Sequence, residues 1–203
     1  MSIGLIILAA GGSTRLGRPK QLLQLNGQTL IRRAATAAVE SRCDRVVVVV
    51  GSSGEDVKRE LDGLAVSIIE NPAWQSGMSS SIRAGLSQIL NHDAVLIMLC
   101  DQPFVPADVV DNLIDTYHKT GMPIVASDYG VTRGVPALFS RELFSELVSL
   151  TGDEGARRII VMHPGMVETI AFADGAIDVD TREQLDRIFQ DLQNESCKSC
   201  SIL

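Results

Sequence analysis

At 203 residues, with 45% hydrophobic residues and a positive mean hydropathy, the chain is long enough for one α/β domain with a full core and too apolar for disorder. No apolar run reaches the ~18 residues of a membrane helix. The formal charge of −7 excludes bulk attraction to nucleic acid, so an anionic ligand would need a local cluster of cations.

Ile3 to Leu8, apolar apart from Gly4, reads as a strand buried on both faces. Ala9, Ala10, Gly11 and Gly12 follow, where side chains almost vanish. Backbone without Cβ can approach a ligand closely and take positive φ, so this loop is expected to aim N–H groups at an anion. Arg15, Arg18 and Lys20 come next, and three cations beside a Gly-rich loop suit a polyphosphate. Two common phosphate loops do not fit. Gly12 to Gly17 has the spacing of a P-loop, but Arg18-Pro19 stands where Lys-Ser/Thr is needed. Gly11-Gly12 followed by Gly17 misses the dinucleotide fingerprint, and Pro19 argues against a helix running straight on.

Gln21 to Leu25 alternates weakly and ends at Asn26-Gly27, a turn signal. Thr29 is placed to cap a helix running to about Ser41. Arg45 to Val50 is a second buried strand. The loop Gly51 to Gly54, a helix over Glu55 to Leu61 and a strand over Ala65 to Glu70 follow. After Asn71-Pro72 a helix is predicted over Ile82 to Leu90, with Ser79 or Ser80 as cap. Ala94 to Leu99 is a fourth buried strand that ends in Cys100-Asp101-Gln102-Pro103. A helix over Ala107 to Lys119, a strand over Ile124 to Ser127 and an extended segment over Gly134 to Phe139 come next. The later elements are helices over Arg141 to Leu150 and Ala156 to Met162, a strand over Val167 to Phe172, and a last helix over Arg182 to Leu192. Strands alternating with helices predict an α/β fold, a Rossmann-like three-layer sandwich with a mainly parallel sheet. One domain is expected over 1–193, with a disordered tail over 194–203.

In open α/β sheets ligands sit beyond the carboxyl ends of strands. The Gly11 loop, the Gly51 to Gly54 loop and Asp101 all fall there. Asp101 could instead satisfy the backbone of the next helix. Mg²⁺ takes one or two carboxylates plus substrate phosphates. Asp101 is the first candidate ligand; Asp180 is the second, with Asp178 its rival, although Asp180-Thr181 also suits a helix cap. Trp74, the sole Trp, reads as a packing anchor rather than a base platform. His92, His118 and His163 show no metal spacing. Cys43 and Cys100 read as packing residues. Cys197 and Cys200 form one isolated pair, a weak zinc signal, and the final Cys-Ser-Ile-Leu fits a prenylation pattern only as a short match. With no basic region ahead of the first apolar run, a reduced cytoplasmic location is expected.

Leu-Ala-Ala-Gly-x-x-x-Arg-x-Gly-x-x-Lys, with its first Gly at 11, resembles the signature loop of the sugar-nucleotide-type nucleotidyltransferases. Asp101 and Asp180 match, in order and context, the two acidic residues that hold Mg²⁺ in that family. The resemblance runs from Leu8 to about Leu185. Gly77-Met-Ser-Ser-Ser-Ile-Arg-Ala-Gly85 and Cys100-Asp101-Gln102-Pro103 are similar to the cytidylyltransferase branch that acts on the molybdenum cofactor. The guanylyl branch has Gly where Ala10 stands and a different motif at Cys100 to Gln102. The resemblance implies transfer of CMP from CTP to the phosphate of molybdopterin with Mg²⁺, and a molybdoenzyme that receives the product as a further partner. It implies neither nucleic acid nor membrane. Leu8, Ala9, Ala10, Gly11, Gly12, Ser13, Thr14, Arg15, Lys20, Ser79, Ser80 and Gln102 would then bind nucleotide. Lys20 would bridge α-phosphate oxygens, Arg15 would hold the leaving pyrophosphate, and Asp101 would share the metal with Asp180. Gly134, Pro136, Asp153 and Arg157 are the expected acceptor side. Other nucleotidyl transfers, guanylyl transfer among them, and a non-catalytic insertion factor remain alternatives.

Overall fold

A computed structural model describes residues 1–12, 19–179 and 184. β1 (Ile3–Ala9) lies at the centre, paired in parallel with β4 (Arg45–Val50) on one side and β6 (Ala94–Leu99) on the other. β5 (Ser67–Glu70) extends the first side in parallel. On the second side come β8 (Arg133–Ser140), β7 (Ile124–Asp128) and β9 (Val167–Ala171). β7 and β9 pair in parallel, whereas β8 runs antiparallel to both β6 and β7. The expected extended segment at Gly134 to Phe139 is therefore a full strand, inserted against the prevailing direction. A run of apolar residues carries no information on strand direction, so the sequence pattern could not show this.

Successive side chains of a strand face opposite sides of a sheet, and β1 feeds two cores accordingly. Ile3, Leu5, Ile7 and Ala9 pack in one core with Ile31 and Ala34 of α1 (Leu30–Glu40), Val57 of α2 (Gly54–Glu60) and Val110 and Leu113 of α4 (Ala107–Thr120). Ile6, Leu8 and Ala10 pack in the other, with Ile82 and Leu86 of α3 (Met78–Leu86), Leu147 of α5 (Phe144–Ser149) and Ile159 and Ile160 of α6 (Arg157–Met162). The three layers follow, with α1 and α2 on one face and α3 on the other. Each of the fully buried Val residues in β4 contributes about 1.5 kcal/mol or more.

The order β5-β4-β1-β6 means that the chain leaves β1 toward one edge and later returns to its other side. The carboxyl ends of β1 and β6 flank that reversal, where doubly wound sheets bind ligands. α3 lies close to the sheet there, because a Cβ on Gly85 would come within 2.7 Å of Ile6.

Several expected boundaries shift. A 3-10 turn over Lys20–Leu22 precedes a small hairpin of β2 (Gln24–Leu25) and β3 (Gln28–Thr29), and Asn26 and Gly27 make its turn with φ of 53° and 79°. Thr29 caps α1 as expected, its Oγ1 accepting from the Arg32 N–H at 3.4 Å. α3 starts at Met78, four residues before the expected Ile82. Gly77 stands at its N-cap and no side chain caps it, so Ser79 and Ser80 are not caps. The Ser80 hydroxyl turns back instead, donating to the Gly77 and Ala73 carbonyls. The expected helix from Arg141 splits into a 3-10 turn over Arg141–Leu143 followed by α5. The last predicted helix, over Arg182 to Leu192, and the tail, with Cys197 and Cys200, lie outside the described residues.

Candidate active site

The loop after β1 is stapled from below. Gln21, 1% exposed, donates both amide N–H groups, to the Ala9 carbonyl at 2.8 Å and the Gly11 carbonyl at 2.7 Å. The Ser52 N–H reaches the Ala10 carbonyl at 3.4 Å. A trans peptide points its N–H opposite to its C=O, so the N–H groups of Gly11 and Gly12 turn away from these donors. Gly51 permits the approach, because a Cβ there would sit 2.5 Å from the Ala10 carbonyl oxygen. A Cβ on Gly12 would meet the Trp74 ring at 2.9 Å. Trp74 therefore packs between the two loops that follow β1 and β4, as the anchor reading expected.

Asp101 stands two residues beyond the end of β6, which is tied to β1 by the Cys100 N–H on the Leu8 carbonyl. Its Oδ2 accepts from Lys20 Nζ. Its Oδ1 is buried with no hydrogen-bond partner, a costly state for a carboxylate oxygen unless a ligand or ion satisfies it. Asp101 does not cap the following helix, because α4 begins at Ala107 with Pro106 as N-cap and no side-chain cap. Burial pushes the adjacent Cys100 thiol up to about 12, which keeps it neutral and inert.

Two clefts meet at this point. The first, about 350 Å³, is lined by Ala10, Gly11, Gly12, Lys20, Ser81 and Asp101, with Trp74 at its side. Ser81 is held there by Asn71, whose Nδ2 donates to the Ser80 and Ser81 hydroxyls at 2.8 and 3.0 Å. Ser81 rather than Ser79 or Ser80 lines this cleft; Ser79 is fully buried and Ser80 is engaged by its own helix start. Ala9 faces the opposite core and does not line it. The second cleft, about 290 Å³, is lined by Gln102, Tyr129, Gly134, Val135, Arg157 and Asp178. Leu8, Leu99, Met78 and Asp153 line both.

The structure thus brings together Leu8, Ala10, Gly11, Gly12, Lys20, Asp101 and Asp153. It places Gln102 in the second cleft, away from the loop, with its amide N–H groups engaged by protein acceptors. Gly134 and Arg157 line the second cleft with it, and Arg157 donates to the Thr132 hydroxyl at 2.5 Å. Pro136 does not line that cleft; its carbonyl accepts from Ser127 at 2.7 Å, and Val135 takes the lining position. Ser13, Thr14, Arg15, Arg18 and Asp180 lie outside the described residues. Asp178, the rival for the second metal position, is described and lines the second cleft.

Asp153 is positioned by a crossing of two glycines. Gly77 has φ of 104° and no room for a Cβ, which would lie 2.2 Å from the Gly152 carbonyl group. The Ser79 N–H donates to that same carbonyl at 3.1 Å. Gln21, Asn71 and Tyr129 carry much of this geometry and have no sequence signature, since each acts through contacts distant in the chain. Burial raises the Tyr129 phenol above its ordinary value, so it stays a neutral hydroxyl. Among the described residues no group of three or more His, Cys, Asp or Glu is placed to hold a metal, and no helix is long and apolar enough to cross a membrane.

Residues 5–167 match the MobA-like NTP transferase domain. The nicotine blue oxidoreductase of Paenarthrobacter nicotinovorans is 34% identical over 90% of this chain and 94% of its own length. The crystal structure of the Rv0371c homologue from Mycobacterium sp. strain JC1 superposes with a TM-score of 0.81 at 32% identity, covering 95% of this chain and 97% of that one. A manganese complex of Rv0371c from Mycobacterium tuberculosis superposes with a TM-score of 0.76 at 28% identity, covering 94% and 99%. The domain match spans the Gly11 loop, Asp101 and both clefts up to Arg157, and the chain belongs to the MobA-like NTP transferase family.

Proposed function

We propose that this nucleotidyltransferase moves CMP from CTP onto the phosphate of molybdopterin in the cytoplasm and releases pyrophosphate. One observation carries the reading: Asp101, with a buried unpartnered carboxylate oxygen and Lys20 on the other, stands beside a Gly-rich loop where two clefts share a wall. Two clefts that share a wall suit a reaction that joins two substrates. CTP would occupy the first, with its β- and γ-phosphates against the N–H groups of Gly11 and Gly12. The acceptor would occupy the second, bounded by Gln102, Tyr129 and Arg157. An acceptor phosphate oxygen then forms the new bond to the α-phosphorus, and the bond from that phosphorus to the bridging oxygen breaks. The phosphate nucleophile is already ionised, so no general base is needed; positioning and charge neutralisation do the work.

Lys20 is the residue of this chain that would follow the charge. It is 22% exposed at its side chain and bound to Asp101. A substrate phosphate would compete for its ammonium, which would then bridge α-phosphate oxygens. Arg15 is assigned to pyrophosphate by resemblance. The donor set fits Mg²⁺: oxygen only, with the Asp101 Oδ1 buried and unpartnered, and Asp178 or Asp180 supplying a second carboxylate. When bound, the ion would neutralise charge on the acceptor and α-phosphate oxygens. The manganese complex of Rv0371c supports a divalent cation here. The cytidine assignment rests on the resemblance at Ala10 and the Cys100-Asp101-Gln102 turn, of which Ala10 lines the nucleotide cleft, and the molybdoenzyme partner rests on the same resemblance.

The test is pyrophosphate release from CTP or GTP, with molybdopterin present or absent, beside a parallel assay of nicotine blue turnover, since a relative carries that name. Release that needs both CTP and molybdopterin is the expected result. Release with GTP alone would move the chain to guanylyl transfer. No release with either nucleotide would sink transfer to molybdopterin and leave transfer to another phosphorylated acceptor, an insertion factor, or a redox protein if the dye turns over.

A further inference from the structure

Gln102 follows Asp101 directly, and both of its amide N–H groups are committed to the protein. Nε2 donates to the Gly175 carbonyl at 2.8 Å, the Val135 carbonyl at 2.9 Å and the Tyr129 hydroxyl at 3.2 Å. A primary amide has two N–H groups, so none is left over. Turning the amide round would set its oxygen against two carbonyls, which fixes the orientation. Its Oε1 is buried and has no hydrogen-bond partner, out of reach of a base in the first cleft, which Gln102 does not line. Such a side chain is poorly placed to read a base and well placed to hold segments together.

The segments it joins are telling. Gly175 lies in the 3-10 turn Ala173–Ala176, three residues ahead of Asp178. At the other end of that stretch the Val179 N–H donates to the Asp101 carbonyl at 3.0 Å. Val179 is fully buried against Leu23, Leu25 and Leu30. The return segment is thus pinned to the Asp101-Gln102 turn on both sides of Asp178. The Tyr129 ring braces the same joint. It fills space that Gly134 and Gly175 leave open, since a Cβ on either would lie 2.7 and 2.3 Å from it. Tyr129 also donates to the Val135 carbonyl.

We infer that Gln102 is a positioning residue that fixes the spacing between Asp101 and Asp178, and so sets the affinity of a divalent cation held between them. This rests on the two-carboxylate reading above. It moves Gln102 from base choice to metal geometry.

The probe is Mn²⁺ alone, with bound and free ion separated by electron paramagnetic resonance on the full chain. Gln102→Leu keeps the bulk and removes the three hydrogen bonds; Gln102→Asn keeps the amide but shortens its reach and serves if the first variant fails to fold. The Mn²⁺ dissociation constant should rise about tenfold or more in Gln102→Leu, the range seen when a residue that orients a metal ligand is lost, and by a smaller factor in Gln102→Asn. The CTP-to-GTP preference should stay at the wild-type ratio. A folded variant of either kind with wild-type Mn²⁺ affinity overturns the inference, as does a shift in base preference without a change in affinity. If the wild type itself takes up no Mn²⁺, the two-carboxylate reading falls first and brings this one down with it, an outcome distinct from an unaffected variant.

Discussion

The two clefts share a wall but are made of different material. The first has a wall of main chain. Its floor is the Ala10-Gly11-Gly12 backbone, shaped by glycines and by Gln21 beneath, at the ends of parallel strands. The second is mostly side chain. Gln102, Tyr129, Arg157 and Asp178 converge on it from the turn after β6, the end of β7, the start of α6 and the return segment, with Gly134 and Val135 of the antiparallel β8 between them. A polyphosphate is the same in every nucleoside triphosphate and can be held by N–H groups that any sequence of small residues supplies. An acceptor differs from enzyme to enzyme, and only side chains can follow it. Within one sheet, the parallel half therefore suits the common substrate and the mixed half the particular one.

The sharpest way to break this division is at Asp101, which lines the first cleft next to Gln102 of the second. Asp101→Ala should lower turnover about a thousandfold, the scale of losing a preorganised charge partner at the reacting centre. Stability should change by no more than about 2 kcal/mol, because the variant also relieves a buried carboxylate. Chemical denaturation and a pyrophosphate assay on the same preparation check both. Wild-type turnover at saturating Mg²⁺ would remove Asp101 from the site.

Lys20 belongs to the first cleft alone. Lys20→Met should lower kcat about a hundredfold while the KM for CTP moves only a few-fold, because the interaction it makes is expected to strengthen in the transition state. A rise in KM with unchanged kcat would make it a ground-state binding residue and remove its role in the transition state.

Gly77 lines the first cleft and backs Asp153, which lines both. Gly77→Ala must accommodate φ of 104° and a Cβ placed 2.2 Å from the Gly152 carbonyl group. It should cost about 3 kcal/mol, read as a lowered denaturation midpoint. The Gly152-Asp153 turn would be displaced, so the KM values for nucleotide and acceptor should rise together. A rise confined to one substrate would show that the wall is not shared in solution.

The same division governs how much the sequence discloses. β1, β4, β6 and the loop at Gly11 were legible, because buried parallel strands are continuous apolar runs and small residues after them have one main use. Asp101 was legible as a carboxylate at a strand end. The direction of β8 was not, since an apolar run has no polarity. The start of α3 was misplaced because its serines resemble caps, whereas Asn71 and nearby backbone carbonyls claim the Ser80 and Ser81 hydroxyls. Gln102 was visible as a residue but its partners were not: Gly175 is 73 residues away, and nothing local in the chain marks that pairing.

The smallest expected effect concerns base choice, and it sets one cleft against the other. Ala10 lines the first cleft on the α3 side of β1, and its neighbour across the loop is Gly51, where a Cβ would come within 2.9 Å of the Ala10 methyl. That methyl narrows the cleft in which a base would lie, and the cytidylyl-like motif differs from the guanylyl-like one at this position. Gln102 differs between the two motifs as well, but it lines the other cleft and its amide N–H groups are spent on Gly175, Val135 and Tyr129. Ala10→Gly should therefore shift the ratio of CTP to GTP efficiencies toward GTP by about tenfold, the scale of one methyl or methylene in a fitted pocket. Adding Gln102→Asn should not shift it further. The measurement is the ratio of kcat/KM for the two nucleotides with a single acceptor. A ratio that moves only when Gln102 is changed would return base choice to the Cys100-Asp101-Gln102 turn. A ratio that moves with neither would place base selection on residues beyond Ala10 and Gln102, with Ser81, Gln75 and Trp74 of the same cleft the next to change.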